Sequence, residues 1–124
     1  VLPEVISKEP LGPVVRQGDD QWFNIVRWTL NAVINAEELG ITSSTVDAMK
    51  TSKNPSVQRV LGTASDMGKK LGLDNDWAAR AIKQVGNYSE MFERNVGKNT
   101  PLKISRGLNA LWSNGGIMYA PPIR

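Results

Sequence analysis

Leu11-Gly-Pro-Val-Val-Arg-Gln-Gly-Asp-Asp20 runs without a break into Gln21-Trp-Phe-Asn-Ile-Val-Arg-Trp-Thr-Leu-Asn-Ala-Val-Ile-Asn-Ala-Glu-Glu-Leu-Gly40, and the rest of the chain is organised around this stretch. Val14 and Val15 are β-prone and lead to a polar turn at Gln17 to Asp19. The turn opens a long helix. Asp19 or Asp20 is placed to accept from the free amides of its first turn and to oppose the positive end of its dipole. Gly40 ends it, because glycine enters the left-handed conformation that closes a helix.

This helix carries more apolar surface than one neighbour would cover. At helical spacing Trp22, Val26, Thr29 and Val33 form one stripe, with Phe23, Leu30 and Ile34 beside it and Ile25, Trp28, Ala32 and Leu39 on the other flank. Only Asn24, Arg27, Asn31, Asn35 and Glu38 leave a polar strip. A surface helix ordinarily shows one apolar stripe roughly 100° wide. Cover on two sides is therefore expected, such as a sheet on one and helices on the other.

Outward from this helix, Val1 to Pro13 holds Pro3, Pro10 and Pro13, which withhold backbone donors and force extended geometry on their predecessors. The stretch is expected to be a connector or edge strand. After Gly40 come short, well-punctuated helices. Ser44 and Asp47 fit a capping box opening a helix to Lys50, and Asn54-Pro55 opens another that ends at Gly62. Ser65 or Asp66 starts a turn or two closed by Gly72. Asp74 or Asn75 begins a run with Trp77, Ala78, Ala81, Ile82 and Val85 inward, which Gly86 or Asn87 breaks before Tyr88, Met91, Phe92 and Val96 continue the period. Ser105 to Trp112 reads as a last helix, and Met118, Tyr119 and Ile123 of the proline-containing end are expected to pack on the body. The chain thus reads as mainly α, one short N-terminal strand plus six or seven helices.

A chain of 124 residues, 40% hydrophobic and 22% charged, suits one globular domain. The net charge of +3 is spread along the chain, which argues against a nucleic-acid partner, since that needs basic residues gathered on one face. There is no cysteine and no histidine, so thiol and imidazole catalysis and the commonest zinc ligands are excluded. The start at Val1, with neither an initiator Met nor a signal segment, is expected to mean that this is a piece of a longer protein.

The carboxylate pairs Glu37-Glu38, Asp19-Asp20, Asp74 with Asp76, and Glu90 with Glu93 invite an acid/base reading. Asp19-Asp20, Asp74 to Asp76 and Glu90 all have simpler work at helix ends. Asp74-Asn75-Asp76 resembles the start of a calcium loop, but the sixth and twelfth positions are Ala79 and Val85 where glycine and glutamate are required. No G-K-[ST] follows the scattered glycines, so no phosphate cradle is present. Trp22, Trp28, Trp77 and Trp112 read as core or interface residues rather than stacking platforms. The residues alone thus point to a non-enzyme without metal or cofactor; a small hydrolase on Glu90 or Glu93 is the weakest alternative.

Lys8-Glu-Pro-Leu-Gly-Pro-Val-Val-Arg-Gln-Gly-Asp19 resembles the late segment of periplasmic amino-acid-binding proteins of ABC transporters, where a strand returns from the second lobe into the first. The helix pattern from Trp22 to Gly40 is similar to the branch called general L-amino-acid-binding proteins. So are the segments 54–62, 71–78, 82–88, 92–97, 106–112 and 115–124 (N-P-S-V-Q-R-V-L-G, L-G-L-D-N-D-W-A, I-K-Q-V-G-N-Y, F-E-R-N-V-G, R-G-L-N-A-L-W and G-G-I-M-Y-A-P-P-I-R). The resemblance implies the C-terminal part of a two-lobed α/β (type II) binding protein, with residues 1–40 the return strand and first helix of lobe 1 and residues 41–124 a helical extension. It implies periplasmic delivery of L-amino acids to a membrane permease, with the ligand-holding residues earlier in the parent chain. The nearest site candidates here are Glu4, Ser7 and Lys8 on the connector between lobes. Without the lobes, self-association through the N-terminal segment or the Trp22 to Leu39 helix is expected. An independent helical interaction module is the alternative.

Overall fold

The computed structural model describes Glu4, Ile6, Ser7 and residues 9–124, so Lys8 lies outside the described residues. The central element is α1, Asp20–Glu38. Its start is the expected one, with the Asp19 carboxylate accepting from the Trp22 amide at 3.0 Å. Its end is also as read. Gly40 adopts φ +69°, its amide donates to the Glu37 carbonyl at 3.1 Å, and Ile41 donates to Ala36 at 2.8 Å. That bond pair satisfies the last carbonyls and sinks the Ile41 side chain completely beneath the helix end.

Five shorter helices follow: α2 (Val46–Met49), α3 (Pro55–Leu61), α4 (Met67–Lys70), α5 (Trp77–Val85) and α6 (Tyr88–Asn95). Asn54 caps α3 from outside, accepting from the Ser56 amide at 2.9 Å, and Gly62 closes it in the left-handed conformation. The carboxy-terminal half of α1 supplies Ala32, Val33 and Ala36 to the core. Against them pack Val57, Val60 and Leu61 of α3, Trp77, Ala78, Ala79 and Ile82 of α5, and Ile123 from the end of the chain. The alanines on α1 and α5 let these helices approach closely while the branched side chains fill the space between, each buried one contributing about 1.5–3 kcal/mol. A smaller cluster of Ile34, Leu111 and Ala120 continues the core along α1, with Leu30 touching both clusters.

The class is mainly α, as expected, with three local corrections. Among the described residues Val14 and Val15 pair with nothing and no sheet exists; a strand needs a partner, and the described residues offer them none. The helix expected over Ser105 to Trp112 is instead two 3-10 turns, Gly107–Asn109 and Trp112–Asn114. Its backbone is diverted. The Leu111 region bridges in parallel to Met118, through Trp112 N–H to Met118 O at 3.0 Å and Met118 N–H to Ala110 O at 3.1 Å. Gly116 permits this crossing, since a Cβ there would collide with the Ala110 carbonyl. Finally, Tyr119 points outward, while Ile123 and Ala120 are buried and Met118 is half-buried.

Candidate functional site

The two halves of α1 differ sharply in burial. Residues Ala32 to Ala36 are buried, whereas Trp22 is 51% exposed and Phe23 47%. Leu11 and Val14, on the segment leading into the helix, are almost fully exposed. Pro13 and Val15 lie with Phe23, Val26, Arg27 and Leu30 around an open recess of about 150 Å³, and a wider depression of about 390 Å³ runs along Pro13 to Asp20 beside Phe23. Contiguous apolar surface of this kind on a small body marks a contact for something else. The expected excess of apolar face is therefore real and localised. It belongs to the amino-terminal half of α1 and the segment before it.

Glu4 and Ser7 are exposed, and Lys8 is outside the described residues. The glutamates considered for acid/base work are structural. One Glu90 oxygen accepts from the Asn87 amide at 2.8 Å and the carboxylate accepts from the Ser43 amide at 3.1 and 3.2 Å and the Ser43 hydroxyl at 2.6 Å. Asn87 returns the bond, accepting from the Glu90 amide at 3.0 Å, so the pair is the capping box of α6. The Asn87 side chain also donates to the buried Ile41 carbonyl at 2.9 Å, which ties α6 to the end of α1. Burial raises the Glu90 carboxyl, but the Ser43 hydroxyl, the Asn87 and Ser43 amides and the Arg94 charge outweigh it and hold the group below the ordinary carboxylate range. Glu93 accepts from the Lys98 amide at 3.0 Å.

Other polar expectations are redistributed. Ser44 and Asp47 make no capping box; the Thr42 and Thr45 hydroxyls accept from each other's amides at 3.2 and 2.9 Å and organise that turn. Asp47 instead meets Lys83 at 2.6 Å and Lys50 at 2.9 Å, and these hydrogen bonds draw its carboxyl down from 3.8 to about 2. Asp76 stands at the N-cap of α5, but its side chain makes no cap bond; it and Asp74 face Arg80, at 3.2 and 3.3 Å. One feature invisible to helical periodicity is the clamp made by Arg106. Its guanidinium bonds both oxygens of Glu37 at 2.9 and 3.0 Å, donates to the Asn109 carbonyl, and lies over the rings of Tyr88 and Phe92 at 5.4 and 5.3 Å from their centroids. It fastens the loop after α6 to α1. Among the described residues no cluster of acidic side chains could hold a metal, and no described helix is long and apolar enough to cross a membrane.

No protein-family model matches the chain. Individual proteins do. It is 67% identical over its whole length to the general L-amino acid-binding periplasmic protein AapJ of Rhizobium johnstonii, and 57% to the glutamate/glutamine/aspartate/asparagine-binding protein BztA of Rhodobacter capsulatus. The chain spans 37% of the length of each of these relatives. Among solved structures, an ABC transporter periplasmic binding protein from Brucella ovis with glutathione bound matches 99% of this chain at a TM-score of 0.94 and 58% identity, over 39% of its own length. Identity of 57–67% sustained from one end of the chain to the other places it with the periplasmic amino-acid-binding proteins of ABC transporters, of which it is a C-terminal part.

Proposed function

We propose that this chain serves as the C-terminal part of a substrate-binding protein for ABC-type uptake of L-amino acids, and that by itself it does not hold the ligand. The observation that carries this is the uncovered front of Val14, Trp22 and Phe23 at the open half of α1, in a chain spanning 37% of its relatives' length. Such a front is what remains when a lobe is taken away.

In the whole protein, residues 1–40 belong to lobe 1 and residues 41–124 form the extension bracing it. Glu4, Ser7 and Lys8 are the hinge candidates between lobes that close on the ligand in the periplasm. Closure shifts a population between open and closed forms and makes no chemical bond, so delivery to the permease requires no catalyst. The ligands named for these relatives share one head group. Glutathione presents an α-ammonium and an α-carboxylate on its γ-glutamyl end, as a free L-amino acid does, and that head group is the recognition element expected of the parent. Cut from its lobes, the chain pairs with a second copy through the N-terminal segment or the open half of α1.

The test is the coding sequence of the source protein with the binding properties of its product. A precursor with a signal peptide and two α/β lobes ahead of Val1, whose product binds L-amino acids, is the expected result. A coding sequence starting near Val1 would overturn it in favour of an independent helical interaction module.

A further inference from the structure

A second apolar surface lies on the loop 107–119. The crossing at Leu111 and Met118 turns those two side chains onto Ile34 and Leu30 of α1 and leaves their neighbours facing out. Trp112 is 53% exposed, Ile117 71% and Tyr119 62%. Trp112 and Tyr119 stand edge to face with ring centroids 6.3 Å apart, and the Ile117 amide donates to the Leu108 carbonyl at 2.9 Å, which fixes Leu108, also half exposed, beside them. Backbone bonds and the Gly116 crossing hold the group rigid. A rigid display of two aromatic and two aliphatic side chains is the composition of an interface core.

Its position on α1 says what covers it. Phe23, Arg27, Leu30 and Ile34 follow at i, i+4, i+7 and i+11, so they share one stripe of the helix. The loop sits on the Ile34 end of that stripe, and Pro13 and Val15 flank the open recess at the Phe23 end. Polypeptide upstream of Pro13 therefore leaves the body from the same stripe that seats the aromatic loop. A lobe tethered there meets this face intramolecularly, at an effective concentration no diffusing partner matches.

We propose that Trp112, Ile117, Tyr119 and Leu108 dock the upstream lobe of the same polypeptide, forming with the open half of α1 one bipartite contact. The extension is then a strap with two attachment points on that lobe. This rests on the chain being the C-terminal part of a longer binding protein. The partner's surface is apolar, since no charged side chain takes part in the patch.

Hydroxyl-radical footprinting of the full-length protein, read by mass spectrometry at three tryptophans, tests it with an internal standard. Trp77 is buried within the body and sets the protected rate. The expected result is that Trp22 and Trp112 are both oxidised within about twofold of Trp77, as fully covered interface residues are. Trp112 reacting several-fold faster than Trp77 while Trp22 is protected would overturn the docking of the loop and leave the lobe reading of α1 intact, freeing the patch for the permease or a second copy. Fast oxidation of both Trp22 and Trp112 would overturn the two together.

Discussion

Replacing Arg106 with alanine should be the most damaging single change outside the apolar core. Its side chain is 16% exposed and that of Glu37 12%, so the substitution strands a nearly buried carboxylate. Breaking one partner of a buried ion pair costs about 3–5 kcal/mol, and each lost cation–π contact, over Tyr88 and Phe92, adds about 0.5–1 kcal/mol. These effects overlap. Glu37 also sits at the end of α1, where water can enter once the arginine is gone. A loss of about 3 kcal/mol is therefore expected, a large share of the roughly 5–15 kcal/mol that holds a domain together. Urea denaturation of the full-length protein reads it as a midpoint lowered by about 1 M or less, because the slope, about 1–3 kcal/mol per M for small domains, rises with the surface a longer chain exposes. Arg106→Lys keeps the charge but loses the planar fork and the stacking, and should fall between wild type and alanine. The diagnostic arm is the double variant Glu37→Gln with Arg106→Ala, which strands no charge and should be more stable than Arg106→Ala alone. A single-variant loss below about 1 kcal/mol, or a double variant weaker than both singles combined, would refute the clamp.

Two further predictions concern acid and association. Glu90 is held below its ordinary 4.5 in the folded chain, so its contribution is complete above that value and is lost as the pH falls through the lower, folded value; Glu90→Gln should cost about 1–2 kcal/mol at pH 7 and flatten the decline of stability below about pH 4.5. An unchanged acid slope in that variant would remove Glu90 from the account. Asp47, drawn down to about 2 by Lys83 and Lys50, acts on the same side but lower, between 3.8 and about 2, and because it is exposed its share should fade in high salt. For association, sedimentation of the isolated 124-residue chain should show a dimer at high concentration that Trp22→Ser with Phe23→Ser converts to monomer, whereas a monodisperse monomer of the unaltered chain counts against it.

Much of the scaffold was legible because its signals are local. Asp19 and Gly40 bound α1, Asn54-Pro55 and Gly62 bound α3, and the break at Gly86-Asn87 separates α5 from α6, each through a backbone bond that the residue type itself satisfies. At Asn87 and Glu90 only the helix break and the helix-end position were read; the N-x-x-E pattern itself is the signature of the capping box found there, and its extension to Ser43, 47 positions away, has no local signal. The failures share a cause. Leu108 and Leu111 have the spacing of a helix, yet the Arg106 clamp and the crossing over Gly116 hold that segment in two 3-10 turns, and both depend on residues distant in the chain or on a collision avoided. Ser44, Asp47, Asp74 and Asp76 look like caps by type and position, but the Thr42 hydroxyl engages Ser44, and lysines and Arg80 engage the aspartates. As for the site, periodicity foretold an uncovered face, while no local motif marked a ligand-binding residue.

The central claim is that this chain is a binding protein's C-terminal part without the ligand cleft. Calorimetric titration of the 124-residue chain and of the full-length protein with the same mixture of L-amino acids tests it most directly. Saturable heat from the full-length protein and none from the chain alone is the predicted result; saturable binding by the isolated chain would contradict it and place the site among residues 1–124.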